Sequence, residues 1–230
     1  MKKHSGFTLI ELAIVLVIIG LLLGGVLKGQ ELINSAKVKS FANDFRNIPV
    51  FLYGYQDKFK AIPGDDSAAD KHVGVGASQV GNGNGQLDGR WNDTPAATSE
   101  ASLFWLHVRK AGLAQGSTDI SAPITEYNPK NADGGIIGIE AGRTTAASAA
   151  ITDKNGAAIV GTYVICSKGI LGKYVKQLDT TLDNGETDTG SMLATEQATY
   201  VADGTAPTGQ AATPTARIDD GTSYIVCMGV

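Results

Sequence analysis

The chain has 230 residues, 43% of them hydrophobic and only 18% charged, with 29 glycines and a formal net charge of -4. That length allows one or two domains, and the acidic balance argues against a general nucleic-acid-binding surface, which needs clustered Lys and Arg to release counterions. A loop-rich surface protein fits this composition better than a charged cytosolic enzyme.

Residues 7–27 form an apolar run of 21 residues whose single charge is Glu11. At about 1.5 Å per residue the run makes roughly 31 Å of helix, close to the ~30 Å hydrocarbon core of a bilayer. Lys2 and Lys3 place the N-terminus on the cytoplasmic side by the positive-inside tendency, and everything after Leu27 across the membrane. No A-x-A-like small-residue site follows the run, so an ordinary cleavable secretory signal fits poorly. An ionised carboxylate inside a spanning helix costs about 2.5 to 3.5 kcal/mol on insertion scales, so Glu11 needs a partner. No Lys, Arg or His lies between His4 and Lys28, which leaves an α-amine as the positive group able to approach. A cut between Gly6 and Phe7 would create that amine, mostly protonated at neutral pH, and a neighbouring copy could supply it.

The segment Lys2-Lys3-His4-Ser5-Gly6 followed by Phe7-Thr8-Leu9-Ile10-Glu11 resembles the class III signal of type IV pilins and of the pilin-like pseudopilins of type II secretion. The resemblance implies that a membrane prepilin peptidase cuts after Gly6 and methylates the amino group of Phe7, and that Glu11 guides each subunit into a growing filament. It also implies a helical filament of this chain or of related pilins, built by an inner-membrane assembly platform. The head would be periplasmic before assembly, and part of an extracellular pilus or a periplasmic pseudopilus afterwards. The expected function is structural subunit of a type IV pilus or pilus-like filament. The alternatives are a type II secretion pseudopilin and a minor pilin whose head acts as an adhesin or receptor.

Past the membrane the helix is expected to continue. Val38, Phe41, Phe45, Ile48, Leu52, Tyr55 and Phe59 recur at steps of three and four, giving one apolar stripe beside polar faces that carry Lys37, Lys39, Arg46 and Lys58. Pro49 should kink this half and Pro63-Gly64 should end it. Gly20 with Gly24, and Gly25 with Gly29, have the spacing of small residues that permit close helix approach; a break of the helix at Gly24-Gly25 is the alternative use of that pair. The expected organisation is a leader at 1–6, a transmembrane half-helix at 7–27, an amphipathic continuation at 28–62 and a globular head at 63–230.

Residues 64–99 are rich in Gly, Asn, Asp and Ala without a sustained period and read as a long loop. Ser99 should cap a short helix containing Leu103, Phe104, Trp105, Leu106 and Val108, and Gly112 should stop it. Residues 135–140, 157–166 and 223–228 read as strands; in the second, Val164 and Cys166 share one face and Tyr163 and Ile165 the other. Ile170, Leu171, Tyr174, Val175, Leu178 and Leu182 have helical spacing. The fold class is therefore α+β, and the pilin resemblance implies the same arrangement, a long N-terminal helix packed on a mainly antiparallel sheet.

Cys166 and Cys227, an even pair in an exported chain, read as a disulfide, with two buried thiols as the alternative. On the pilin resemblance the segment between them corresponds to that family's variable C-terminal region. Asn82, Asn84, Gln86 and Asp88 alternate in a Gly-rich loop but do not fit an EF-hand template, since its first and twelfth positions fall on Val80 and Trp91. Asp183, Glu186 and Asp188 form a better carboxylate cluster for calcium, although turn chemistry explains Asp183-Asn184-Gly185 without metal; no other cofactor is expected. His72 and His107 stand beside no nucleophile motif, and the chain is not expected to be an enzyme. Trp91, Trp105, Tyr127 and Tyr200 read as core residues rather than as a stacking surface for sugars or single-stranded DNA.

Overall fold

The computed structural model describes residues 9–200 and 210–230. Its first element, α1 (Leu9–Phe59), is one continuous helix of 51 residues that carries Pro49 in its interior. Such a helix is about 77 Å long. Its two halves live in different surroundings. Residues from Leu9 to Leu27 present their large apolar side chains outward, while Val38, Phe41, Ala42, Phe45, Ile48, Leu52 and Tyr55 are buried. The helix ends before Pro63: Lys60 adopts a left-handed φ of 56° and its N–H donates to Gln56 O at 2.8 Å. That bond satisfies a terminal carbonyl and turns the chain, so the terminus is set one turn earlier than the proline would set it.

Residues 60–99 are a loop that contains the stretch 64–99 expected from composition, with one short turn of helix, α2 (Ala69–His72). Carboxylates hold it. Asp65 accepts the N–H groups of Gly83, Asn84 and Gly85, and Glu100 accepts those of Asn82 and Asp88. The next helix is α3 (Glu100–Lys110), followed by Gly112 at φ +76°. Ser99 stands at its N-cap but does not close it; its Oγ donates to Asp93 Oδ2 at 3.0 Å instead. A single turn, α4 (Ile124–Tyr127), leads to the sheet.

The main sheet contains β1 (Ile137–Ala141), β3 (Tyr163–Leu171), β4 (Met192–Glu196) and β6 (Ser223–Gly229), in the order β1-β3-β6-β4 and antiparallel throughout. Two short strands, β2 (Ile151–Thr152) and β5 (Gln210–Ala211), pair in parallel apart from it. Alternation splits the side chains between two cores. Ile137, Ile139, Ile165, Met192 and Val226 face the covered half of α1; Ile136, Val164, Cys166, Leu193, Ile225 and Cys227 face Trp91, Ile151 and Tyr200 on the other side. Gly138 is required on the second face, because a Cβ there would collide with the Trp91 carbonyl.

The expected strand at 157–166 begins later and runs further. Residues 157–162 are irregular, Val160 is 79% exposed, and β3 continues through Ile170 and Leu171, which helical spacing had joined to the following helix. A register shift between Lys168 and Ile170, with Gly169 at φ +80°, brings Ile170 into the same core as Ile165. That bulge is the device that breaks the strand's period and makes it imitate a helix in sequence. α5 (Gly172–Leu182) then folds against α1, with the Phe41 and Tyr174 ring centroids 5.8 Å apart and Tyr174 Oη donating to Asn34 Oδ1.

Candidate functional site

Gly6 and Phe7 lie outside the described residues; Glu11 lies in the first described turn of α1. From there to Lys28 the helix bears no other charged residue. Leu9 is 88% exposed and Leu21 73%, a contiguous apolar surface far beyond what a soluble monomer presents to water. Among the described residues α1 is the one helix long and apolar enough to cross a membrane. Gly20, Gly24, Gly25 and Gly29 all remain helical, and a Cβ placed on any of them meets nothing within 4 Å. They are shallow notches on a bare rod, open to whatever helix or lipid surrounds it.

The same helix is fastened at its other end. Tyr55 Oη donates to Asp66 Oδ2 at 2.8 Å, and His72 Nδ1 lies 2.7 Å from that oxygen. Burial opposes the ionised form of Asp66, but the His72 and Tyr55 hydrogen bonds with the Ala68 N–H overcome it and hold the carboxyl below its usual range. Phe59 stacks on the His72 ring at 5.2 Å. His107 is buried, with Nδ1 accepting the Gly64 N–H and Nε2 2.8 Å from the Gln79 carbonyl. Both histidines therefore tie the 60–99 loop to helices.

The four aromatic residues weighed as a stacking surface are core residues. Trp91, Trp105, Tyr127 and Tyr200 are all buried; Trp91 Nε1 donates to Tyr200 Oη at 2.8 Å and Tyr127 Oη to the Ser102 carbonyl at 2.9 Å. Cys166 and Cys227 form a disulfide between directly opposed positions of β3 and β6, with Cα atoms 4.1 Å apart.

Among the candidate calcium residues, Asp183 Oδ2 accepts the Met192 N–H at 3.0 Å, while Glu186 is exposed and Asp188 buried. Among the described residues no three His, Cys, Asp or Glu side chains converge as a metal donor set. The structure adds a carboxylate to this region, Asp179 on α5. It is 1% exposed; one oxygen accepts the Gly185 N–H at 2.7 Å, and the other has no hydrogen-bond partner. Burial first, then the charges of Asp183 and Glu186, push its carboxyl up to about 6, against the pull of the Gly185 N–H. An acid three residues before the end of an amphipathic helix, on the face of Val175 and Leu178, was the sequence signal for it.

A second buried carboxylate was missed in the same way. Glu140 interrupts the apolar strand β1, is fully buried, accepts the Trp91 N–H at 3.0 Å and lies 3.4 Å from Arg90 Nη1. Burial raises its carboxyl, while the Trp91 N–H and the guanidinium groups of Arg90 and Arg143 lower it.

Comparison with protein-family models matches residues 1–27 to the prokaryotic N-terminal methylation motif, the class III prepilin signal found in type IV pilins and pseudopilins. Comparison with curated proteins and with solved structures finds no match.

Proposed function

We propose that this chain, whose N-terminus carries the prepilin methylation motif, is a structural subunit of a type IV pilus or pilus-like filament. The motif supports a member of the type IV pilin or pseudopilin group, whose members are structural rather than catalytic. One observation carries the reading further: α1 divides into a half sealed onto the head and an apolar half left bare. A lone anchor needs only the bare half. A 51-residue helix with both halves in one rod positions the head rigidly against a bundle of like helices.

In this reading prepilin peptidase cuts after Gly6, Phe7 becomes the methylated N-terminus, and the chain waits in the inner membrane with its head in the periplasm. The assembly platform then moves it into the filament, where Glu11 of one subunit meets the Phe7 amine of another. Leaving lipid for a helix bundle gains little by apolar burial alone, because acyl chains are equally apolar. The charge pair and the glycine notches supply register.

The test is Glu11→Ala in the native host. N-terminal mass measurement should still find the cut after Gly6 and the methyl group on Phe7, while the yield of sheared filaments falls sharply. Unchanged filament yield would remove the charge-pair mechanism, and an uncleaved leader would remove the reading as a whole.

A further inference from the structure

Arg143 lies just beyond the end of β1 and borders two adjoining clefts of about 350 and 340 Å³. Its Nη2 donates to the Gly89 carbonyl at 3.0 Å, and its Nε is buried without a hydrogen-bond partner. Arg143 as a whole is half-buried and lines both clefts, so the accessible part of its side chain, not the sealed Nε, is what a ligand could meet. Two guanidinium groups, Arg90 and Arg143, flank the single carboxylate Glu140, and Arg90 makes the direct contact, also donating to the Ser148 carbonyl. Whether Glu140 is ionised or protonated, at least one positive charge is left over. The nearby acids are engaged elsewhere: Asp65 holds the N–H groups of the 83–85 loop, and Asp93 those of Arg90 and the Ser99 hydroxyl.

The larger cleft surrounds this charge with neutral hydrogen-bonding groups. Gln86, Thr144, Ser148 and Thr162 line it together with Gly142, and the Tyr163 ring forms a wall. Gln86, Thr144 and Thr162 are exposed. The Ser148 hydroxyl donates to the Thr145 carbonyl at 3.1 Å and keeps acceptor capacity. An oxyanion makes the strongest match for a guanidinium; a ring of hydroxyls and an amide, with no further charge, suits a ligand rich in hydroxyls. A volume of about 350 Å³ admits one ring of that kind.

We propose that this cleft binds an acidic sugar, with its carboxylate on Arg143 and its hydroxyls on Thr144, Ser148 and Thr162. The cleft lies at the end of the head away from the bare half of α1. Tyr163, at its wall, opens β3 and lies near Gln56 late in α1, whereas the far end of β3 leads to Tyr174 and Asn34. A glycan therefore reaches the site without approaching the apolar rod. The inference stands apart from polymerisation, since it needs only the folded head.

The test is saturation-transfer NMR on the detergent-solubilised full chain, with sodium glucuronate as probe, glucose as control, and inorganic sulfate, which carries no proton, read by its competition with the glucuronate signal. Glucuronate should bind, glucose should not at equal concentration, and Arg143→Gln should weaken glucuronate by about tenfold or more. Thr162→Ala, at an exposed position, should weaken glucuronate several-fold while leaving sulfate unchanged, which keeps the test decisive if the Arg143 variant misfolds. Equal signals from glucuronate and glucose, glucuronate binding that survives Arg143→Gln in a folded protein, or sulfate binding as tightly as glucuronate would each overturn the proposal.

Discussion

Replacing Asp179 by Asn should stabilise the protein at neutral pH. The side chain is 1% exposed, with one oxygen on the Gly185 N–H and the other unmatched. Burial and the charges of Asp183 and Glu186 raise its carboxyl from 3.8 to about 6, a difference worth about 3 kcal/mol. Below pH ~4 the group is protonated in both folded and unfolded chains and costs nothing. As pH rises through that range the unfolded chain ionises first, so stability falls, and the loss is complete above pH ~6. Asn keeps the acceptor for Gly185 and removes the charge. The variant should therefore exceed the wild type by up to ~3 kcal/mol at pH 7.5, or about 6–12 °C in Tm for a head of this size, and the two should converge near pH 4.

Near-UV circular dichroism melts of the detergent-solubilised chain in EDTA, at several pH values, measure this directly. A variant no more stable than wild type at pH 7.5 would refute the reasoning. The same samples in millimolar CaCl₂ test the calcium proposal at Asp183, Glu186 and Asp188. A calcium-dependent gain in the wild type that vanishes in Asp179→Asn would make a divalent cation the partner of the bare oxygen, and would equally refute an unrelieved charge.

Replacing Cys166 and Cys227 together by Ser should lower stability by up to about 4 kcal/mol in the chain-entropy model, as read from urea titrations under oxidising conditions, because the bridge closes 61 residues. Phe45→Ala, at a position 1% exposed, should cost about 3–5 kcal/mol in the same assay. Leu21→Ala, 73% exposed, should leave the head's stability within error while reducing filament yield. Equal effects of these two on head stability would contradict the division of α1.

The parts of the fold legible in sequence were those specified by neighbours along the chain. The stripe from Val38 to Tyr55 needs only helical spacing, and Gly6, Phe7 and Glu11 belong to a linear motif that matches as sequence over residues 1–27. The bounds of β3 are hidden in the sequence because a bulge at Gly169 breaks its period. β4 was missed because Met192-Leu193-Ala194-Thr195 has no alternation of its own; it is a strand because β6 offers it a partner. The Arg143 cleft was invisible for a related reason, since residues 86, 143, 148 and 162 meet only after three segments have folded. Glu140 within Ile-Gly-Ile-Glu-Ala was the available clue, a charge that a buried strand tolerates only when it is paired.

The strand order β1-β3-β6-β4 has a bearing on export. The β1–β3 hairpin is complete early in the chain, but β4 pairs with β6, which emerges some thirty residues after it. With its N-terminus held back and the head emerging in chain order, the chain would carry an open β3 edge and an unattached β4 until β6 slid between them. Only then does Cys227 come opposite Cys166. The bridge therefore reports closure of the sheet, since it can form between these positions only once β6 lies beside β3.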